Sequence, residues 1–336
     1  PDPAMIEMSL QQSEPVALPH QPPGRQVRSV AVSALLTALM IVIGLPVFVP
    51  AVILYCGIRF GVRAASAALF AAALLATAFV PMGGYTHDVT RFAYSLVSGA
   101  ALTLGVPALI AIPFVKRGES FGRVLVLLLA SSAAGMVLTE LLWRIAAGYS
   151  PYAAHVAQAR EATAFLLKAY KAGGMPSDAL RMAERSGQYY TNTLIVGVLL
   201  INATVNFTLS LLMVGRLPAG RALGPYQLRR LSLPDGVLFL FIAGGLAPLA
   251  TGVAHTIAAN ALMLAAFLYM LQGFALLRFL LASMGVGFIG ALLAFALTFL
   301  SGVGPLLLGL AGLFDPFFDF RHFKKRKDDS HESHSD

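Results

Sequence analysis

Long apolar runs separated by short polar linkers follow one another along most of the chain. Runs of roughly 18 residues or more recur, and each is long enough to cross a hydrocarbon core of ~30 Å as a helix. The runs do not show the strict alternation, over about 10 residues, that marks a transmembrane β-strand. The pattern therefore predicts an all-α fold, a polytopic transmembrane helical bundle of about eight long helices and two short segments.

The expected positions of these elements follow from where the apolar runs begin and end. Seven long helices are predicted over residues 30–45, 62–80, 92–114, 124–147, 191–214, 236–251 and 255–274. The eighth shares residues 283–313 with one short segment, because Gly302, Gly304 and Pro305 interrupt that run. The other short segment is predicted over residues 51–58.

Residues 44–63, GLPVFVPAVILYCGIRFGVR, decide between one membrane crossing and two. Pro46 and Pro50 break the helix pattern, and the stretch ends on Arg59 and Arg63. A single crossing from a cytoplasmic start would put both arginines outside, against the positive-inside rule. Two crossings joined by a turn at the prolines put them inside. The sequence therefore predicts two crossings here and, continued along the chain, cytoplasmic N- and C-termini.

The same topology divides the chain into segments of different character. The first four residues precede Met5 and are interpreted as a cloning remnant. The predicted segments are a polar cytoplasmic tail over 1–29, a membrane core over 30–215 with a long external segment over 148–190, a basic cytoplasmic linker over 216–233, C-terminal membrane helices over 234–314, and a cytoplasmic tail over 315–336 that is basic and then acidic.

The amino-acid composition agrees with a membrane protein and indicates which partners to expect. Of the 336 residues, 57% are hydrophobic and only 12% are charged, whereas charged residues make up about a quarter of an ordinary soluble domain. The expected partner is thus a lipid bilayer. The net charge of +8 comes largely from short linkers and the tail, so it predicts orientation rather than nucleic-acid binding. The single cysteine, Cys56, excludes a disulfide framework within this chain.

One carboxylate inside a predicted span is the clearest candidate for chemistry. Glu140 lies about seven residues, or ~10 Å, from the predicted outer end of its helix, and an ionisable residue at such a depth suggests a functional site. Arg144 follows four residues later, on the same helix face. Two interpretations stay open: a self-neutralising ion pair facing the bundle interior, or a polar wall of an outward-facing pocket.

Other polar residues are expected at the same height. A short external loop predicted over residues 81–91 contributes Asp88 and Arg91, and the start of the helix over 191–214 contributes Tyr190 and Asn192. With Glu140 and Arg144, these residues form the predicted ligand-binding set, listed in full as Asp88, Arg91, Glu140, Arg144, Tyr190 and Asn192. A weaker polar patch is expected at the outer end of a later helix, where His255, Thr256 and Asn260 lie.

The sequence contains none of the catalytic, metal-binding or phosphate-binding motifs with a known mechanism, such as HExxH, CxxC, GxSxG or a Walker loop. It therefore predicts no catalytic residue, no metal site and no cofactor. A lipid-handling enzyme would need several acids or histidines at one depth, and only Glu140 meets that condition clearly.

The N-terminal part of the chain resembles a known membrane family. A first helix with small residues (Ala34-Leu35-Leu36-Thr37-Ala38), a proline turn, a short segment ending in Phe60-Gly61 and an Ala-rich third helix are similar to the substrate-binding S components of energy-coupling-factor transporters. The similarity covers about residues 28–215. It implies that Ala34 and Ala38, as an Ala-x-x-x-Ala pattern, dock a transmembrane coupling subunit that works with ATPases.

The whole chain resembles a second family more closely. Its end, GLFDPFFDFRHFKKR over residues 312–326, is similar to the YybS-like family of bacterial polytopic membrane proteins. That family is a distant structural cousin of the S components. The resemblance implies a bacterial inner-membrane protein whose C-terminal helices are additional to the six-helix plan of an S component.

Two functional hypotheses follow. The leading one is an integral inner-membrane protein that binds a small-molecule substrate from the outer side and helps to take it up. The alternative is a membrane scaffold that recruits a cytoplasmic partner or anionic lipid through its basic inner loops and tail, mainly residues 216–230 and Arg321–Lys327.

Overall fold

The fold is helical throughout the part of the chain that the computed structural model describes, residues 23–83, 87–217 and 226–318. No strand occurs in these ranges, which confirms the all-α prediction. In chain order the helices are α1 (Pro23–Val42), α2 (Val49–Phe60), α3 (Val62–Phe79), α4 (His87–Ala100), α5 (Val106–Lys116), α6 (Phe121–Ala147), α7 (Pro151–Ala172), α8 (Ser177–Tyr189), α9 (Ile195–Arg216), α10 (Gly236–Gly245), α11 (Gly252–Ser283), α12 (Phe288–Leu300) and α13 (Gly304–Phe318).

Two pairs of these helices are continuous through π-turns. Each π-turn here is a five-residue segment of π-helix within a continuous helix. The π-turn Ala101–Gly105 joins α4 to α5, and the π-turn Tyr190–Leu194 joins α8 to α9. The second pair forms one helix of 40 residues from Ser177 to Arg216. The predicted helix over 191–214 therefore begins much earlier, inside the predicted external segment over 148–190.

Five helices within the described ranges are long and apolar enough to cross a bilayer: Val62–Met82, Val89–Lys116, Phe121–Ala147, Ser177–Arg216 and Gly252–Ser283. Helices α12 and α13 together would provide a sixth span. The polytopic bundle is thus confirmed. Two predicted long helices, over 30–45 and 236–251, are shorter apolar helices at Val27–Val42 and Gly236–Leu249.

The predicted break in residues 44–63 is present. Helix α1 ends at Val42, Gly44 adopts a φ of +75°, and Pro46–Phe48 form a 3₁₀ turn that leads into α2. The positive φ suits glycine, which has no Cβ to clash. Helices α1 and α2 pack against each other, so the stretch forms a helical hairpin. The number of times it crosses a membrane stays a prediction.

The last apolar run bends sharply. Its two helices meet at an angle of 110°, where Gly302 has a φ of +68° and Pro305 begins the next helix without an N–H to donate. The helices have 13 and 15 residues. Each piece is shorter than a full crossing requires, so the pair is a broken span or a re-entrant loop, and the predicted full span with a short piece stays a prediction. Helix α13 also extends to Phe318, so Asp315 lies inside it.

The helices form two compact units. Unit 1 is drawn from Pro1–Ser120 and Asn206–Tyr226, and unit 2 from Phe121–Val205 and Gln227–Asp336. In unit 1, α1 packs on α3, and both helices contribute small residues. Small residues let membrane helices approach closely. The buried alanines are Ala34, Ala38, Ala65, Ala68, Ala72 and Ala76.

Helix α11 is the centre of unit 2, where it packs against α10 and α13. A Cβ added to Gly273 would lie 1.9 Å from the carbonyl oxygen of Leu308, and one added to Gly312 would lie 2.0 Å from that of Tyr269. Glycine is therefore required at both positions, because the backbones of α11 and α13 are in direct contact.

Large apolar side chains remain exposed along the helices. Phe70 is 68% exposed, Ile145 and Leu300 are each 83% exposed, and Leu249 is 82% exposed. Soluble monomers rarely expose extensive apolar surface. These side chains are suited to contact with lipid tails.

Candidate functional site

Glu140 lies near the end of α6 and receives three hydrogen bonds. The Nε of Arg144 donates to Oε1 at 2.5 Å, and the hydroxyl of Ser150 donates to the same oxygen at 2.6 Å. The backbone N–H of Tyr152 donates to Oε2 at 2.9 Å. Ser150 is the N-cap of α7 and accepts from the N–H of Ala153 at 3.0 Å. Glu140 therefore holds the first turn of α7, where a negative charge is favourable.

The predicted pairing of Glu140 with Arg144 is present, but the two side chains differ in exposure. The Glu140 side chain is 20% exposed, whereas that of Arg144 is 61% exposed. Nearby in α7, burial lowers the pKa of His155, and the negative charge of Glu140 opposes that effect. The Glu140 carboxylate thus fixes the position of Arg144 and of the first turn of α7. The Arg144 guanidinium itself is accessible.

A second exposed arginine lies further along α7. Arg160 of α7 donates from Nη2 to Oδ1 of Asn192 at 2.8 Å. Asn192 belongs to the π-turn between α8 and α9. The contact ties α7 to that turn, and both side chains are exposed.

Asn260 of α11 inserts its amide into the backbone where the π-turn Tyr190–Leu194 continues into α9. Its Nδ2 donates to the carbonyl of Thr193 at 2.6 Å, and its Oδ1 accepts from the N–H of Gly197 at 2.5 Å. Residues 193 and 197 are the partners of one ordinary helical hydrogen bond. The amide thus takes the place of that bond. A Cβ on Gly197 would lie 2.8 Å from Oδ1 of Asn260, so glycine makes the approach possible.

We expect Asn260→Leu to destabilise the protein by about 1–2 kcal/mol, because the leucine leaves two buried backbone groups without their amide partners. Thermal unfolding in detergent measures the loss. Hydrogen exchange at the Gly197 amide should accelerate at the same time. Gln158→Leu, at an exposed position of α7, is the control. Equal effects of the two substitutions would contradict a bridging role for Asn260.

His255 links the start of α11 to two neighbours. Its Nδ1 lies 2.9 Å from the carbonyl oxygen of Ala247, and its Nε2 lies 3.4 Å from the hydroxyl of Tyr189. A carbonyl only accepts, so Nδ1 donates the hydrogen in the contact with Ala247. Of the predicted patch, His255 and Asn260 therefore make contacts with other helical segments, whereas the hydroxyl of Thr256 donates to the carbonyl of Gly252 in its own helix at 3.4 Å.

These contacts connect one end of unit 2, which we call the polar end and define by Glu140, Arg144, Arg160, Asn192 and His255. It comprises the last turns of α6, the first half of α7, the π-turn before α9 and the start of α11. Of the predicted ligand-binding set, Glu140, Arg144 and Asn192 belong to it.

The other predicted positions are placed as follows. Tyr190 begins the π-turn and is half-buried. Arg91 is half-buried on α4 of unit 1, and the side chain of Asp88 lies outside the described residues. Ala34 and Ala38 are only 3% and 2% exposed, so the chain's own helices cover them. Docking of a coupling subunit at these alanines stays a prediction that would require the cover to move.

The segments behind the scaffold hypothesis are described only in part. Residues 218–225 and Arg321–Lys327 lie outside the described ranges. Within the described part of the linker, Tyr226 is buried and donates from its hydroxyl to the carbonyl of Glu119 at 3.1 Å. Burial, with a smaller contribution from the charge of Glu119, raises the pKa of Tyr226. Arg229 and Arg230 are exposed.

Sequence reasoning missed a buried polar network in unit 2. Gln272 is fully buried, its Oε1 accepts from the N–H of Leu233 at 3.1 Å, and its Nε2 donates to Oδ2 of Asp315 at 3.2 Å. The sequence does contain a signal for this network, because Gln272 and Asp315 are polar residues within apolar runs. The predicted boundary at residue 314 assigned Asp315 to the tail instead. Among the described residues, no group of three or more His, Cys, Asp or Glu could hold a metal ion.

The fold and the exposed apolar faces define a helical, polytopic membrane protein. The chain belongs to a family of predicted membrane proteins, DUF2232, whose model matches residues 29–316. No curated protein and no solved structure shows a significant match.

Proposed function

We propose that this protein binds a small molecule with an anionic group at the polar end of unit 2 and helps to take it up across a bacterial inner membrane. The observation that supports the proposal is that two arginines, Arg144 and Arg160, are accessible. Each donates one hydrogen bond to another residue of unit 2, Arg144 to Glu140 and Arg160 to Asn192. The positive-inside argument puts this end outside.

The chemistry of guanidinium supports an anionic ligand. Each guanidinium has five N–H donors in a planar fork, and the hydrogen bonds to Glu140 and Asn192 use one donor of each. The remaining donors match the geometry of a carboxylate or phosphate, which arginine binds with two parallel bonds. Arg144 and Arg160 are thus the proposed ligand contacts.

The other members of the set have supporting roles in this proposal. Glu140 holds Arg144 and the start of α7, and Asn192 orients Arg160. Tyr190, in the same π-turn as Asn192, lines the site. Asp88 and Arg91 belong to unit 1 and are not part of the site proposed at the polar end of unit 2. The proposal includes no catalytic step.

The resemblance to S components gives the proposal its transport context. In such an arrangement the chain captures the substrate outside, and a coupling subunit with ATPases supplies the energy. The burial of Ala34 and Ala38 means that this docking must use other surfaces or a rearrangement of α1.

The test is native mass spectrometry of the full chain, extracted from the membranes of its own host in mild detergent. Wild-type protein should release an anionic small molecule. Arg144→Ala and Arg160→Ala should each reduce its retention about tenfold or more, because hydrogen bonds to charged groups are worth roughly 1.5–3 kcal/mol. Arginine is changed rather than Glu140, since loss of the carboxylate would also disturb α7.

Arg181→Ala is the matched control, because Arg181 is also an exposed arginine of unit 2, paired with Asp178. It should retain the ligand as the wild type does. Unfolding temperatures of all variants are compared first. Equal retention by the Arg144, Arg160 and Arg181 variants would contradict the site, and a co-purifying soluble protein with no small molecule would favour the scaffold hypothesis.

A further inference from the structure

Unit 1 contains a groove whose lining residues are all different from those of the polar end of unit 2. It has a volume of about 640 Å³ and lies among residues of α1, α2 and the end of α9. That volume is within the usual range of ligand pockets, about 300–1,000 Å³. We call it the arginine groove and define it by Arg28, Val32 and Leu36 of α1 and Val52, Tyr55 and Arg59 of α2, which all line it.

The polar and apolar residues of the groove are separated along its length. On α1, Arg28, Val32 and Leu36 follow one another at intervals of four residues, so they share one helix face. The face runs from a cation to apolar side chains over ~12 Å. On α2, Val52, Tyr55 and Arg59 run in the opposite order, from apolar to cationic.

The two arginines lie at the same end of the groove. Helices α1 and α2 are consecutive, joined by a short turn and packed together. The start of α1, with Arg28, therefore lies beside the end of α2, with Arg59. Both arginines are exposed. The guanidinium of Arg59 lies 5.7 Å from the centroid of the Phe60 ring, a contact with an aromatic face that does not cancel its charge.

The side chains that line the apolar part of the groove are exposed on the outer surface of the helices. Val32 is 49% exposed and Leu36 is 40% exposed, and Met213 of α9, which also lines the groove, is 42% exposed. In a membrane protein such surfaces contact acyl chains. An occupant can therefore enter from the bilayer with its hydrocarbon along the apolar part and its polar head at the arginines.

We propose that the arginine groove binds one anionic phospholipid of the surrounding bilayer, with its phosphate group between Arg28 and Arg59 and an acyl chain along Val32, Leu36 and Val52. Charge complementarity selects the headgroup, since basic residues near a membrane surface attract anionic lipids. The positive-inside rule places these arginines at the cytoplasmic leaflet. The site shares no residue with the proposed small-molecule site of unit 2, so the two proposals can fail separately.

The experiment titrates the purified full chain with phosphatidylglycerol or phosphatidylcholine of the same acyl chains and counts bound lipids by native mass spectrometry. The wild type should bind one phosphatidylglycerol more tightly than phosphatidylcholine. Arg28→Gln with Arg59→Gln should weaken phosphatidylglycerol binding about thirtyfold, as expected for the loss of two cations. Phosphatidylcholine binding should weaken by a smaller factor, because its choline ammonium offsets the phosphate charge.

Arg63→Gln with Arg117→Gln is the charge-matched control, because both arginines are exposed in unit 1 and do not line the groove. It should keep wild-type lipid binding. Val52→Trp, which fills the groove and keeps both arginines, should lose bound phosphatidylglycerol. Unfolding temperatures establish that each variant is folded before titration.

Three results would overturn the proposal. The first is equal binding of the two phospholipids by the wild type. The second is an equal loss in the control pair, which would indicate a general effect of net charge. The third is tight binding of oleate with no preference for phosphatidylglycerol, which would assign the groove to a free amphiphile instead of a bilayer lipid.

Discussion

Gly273→Ala and Gly312→Ala are each expected to destabilise the protein by about 1–3 kcal/mol or more, because a methyl group has no room between α11 and α13. The new Cβ would lie 1.9 Å from the Leu308 oxygen or 2.0 Å from the Tyr269 oxygen. These contacts are with backbone atoms, which cannot rotate away as a side chain can. The two helices must separate, and the dispersion contacts along their interface weaken.

Gly309→Ala provides a matched control on α13. A Cβ at Gly309 has nothing within 4 Å, and alanine is better than glycine in a helix by about 1 kcal/mol. This variant should be unchanged or more stable. Thermal unfolding in detergent, followed by circular dichroism, compares the three variants with the wild type. Similar unfolding temperatures for Gly273→Ala and Gly309→Ala would mean that the backbones of α11 and α13 are not in contact.

Gln272→Leu is expected to cost about 2–5 kcal/mol, because it removes the partner of two buried polar groups at once. The leucine has a similar size, so the volume of the core is nearly kept. The N–H of Leu233 loses its acceptor, and the Asp315 carboxyl loses the donor at 3.2 Å. Denaturation in detergent measures the loss, and Gln188→Leu, at an exposed position of α8, is the control.

A double-mutant cycle separates the network from a simple change in packing. Asp315→Leu alone leaves the Gln272 amide without its acceptor, whereas the double variant removes both groups. If the amide and the carboxyl are coupled, the double variant is less destabilised than the sum of the single ones. Additive losses would show that Gln272 and Asp315 contribute independently.

Local patterns were sufficient for much of the architecture. Apolar runs identified α3 and α6 to within a few residues, and the prolines located the break before α2. Both depend on neighbours in sequence, since helix length follows the bilayer thickness and proline lacks an N–H. The spacing of four residues likewise indicated the pair of Glu140 and Arg144, which the structure contains.

The ends of helices were harder to predict from the sequence where a helix continues through polar residues. The Gly-Gly-Met-Pro stretch ends α7, but from Ser177 onward the chain is one helix into α9 despite its polar start. Charged and polar residues with good helix propensity can form a helix in water or at an interface. A drop in hydropathy therefore does not mark the end of a helix there.

The sequence by itself determined the class of this protein, a helical membrane protein, together with the turns that proline and glycine impose and the i, i+4 contacts within single helices. Only the tertiary structure decided which distant groups meet: Glu140 with the first turn of α7, Asn260 with the backbone of α9, Gln272 with Leu233 and Asp315, and Arg28 with Arg59 at one groove. The physical reason is that helical periodicity specifies which residues share a face. The partner of that face depends on close packing between helices, where a glycine in place of a larger residue changes the distance of approach.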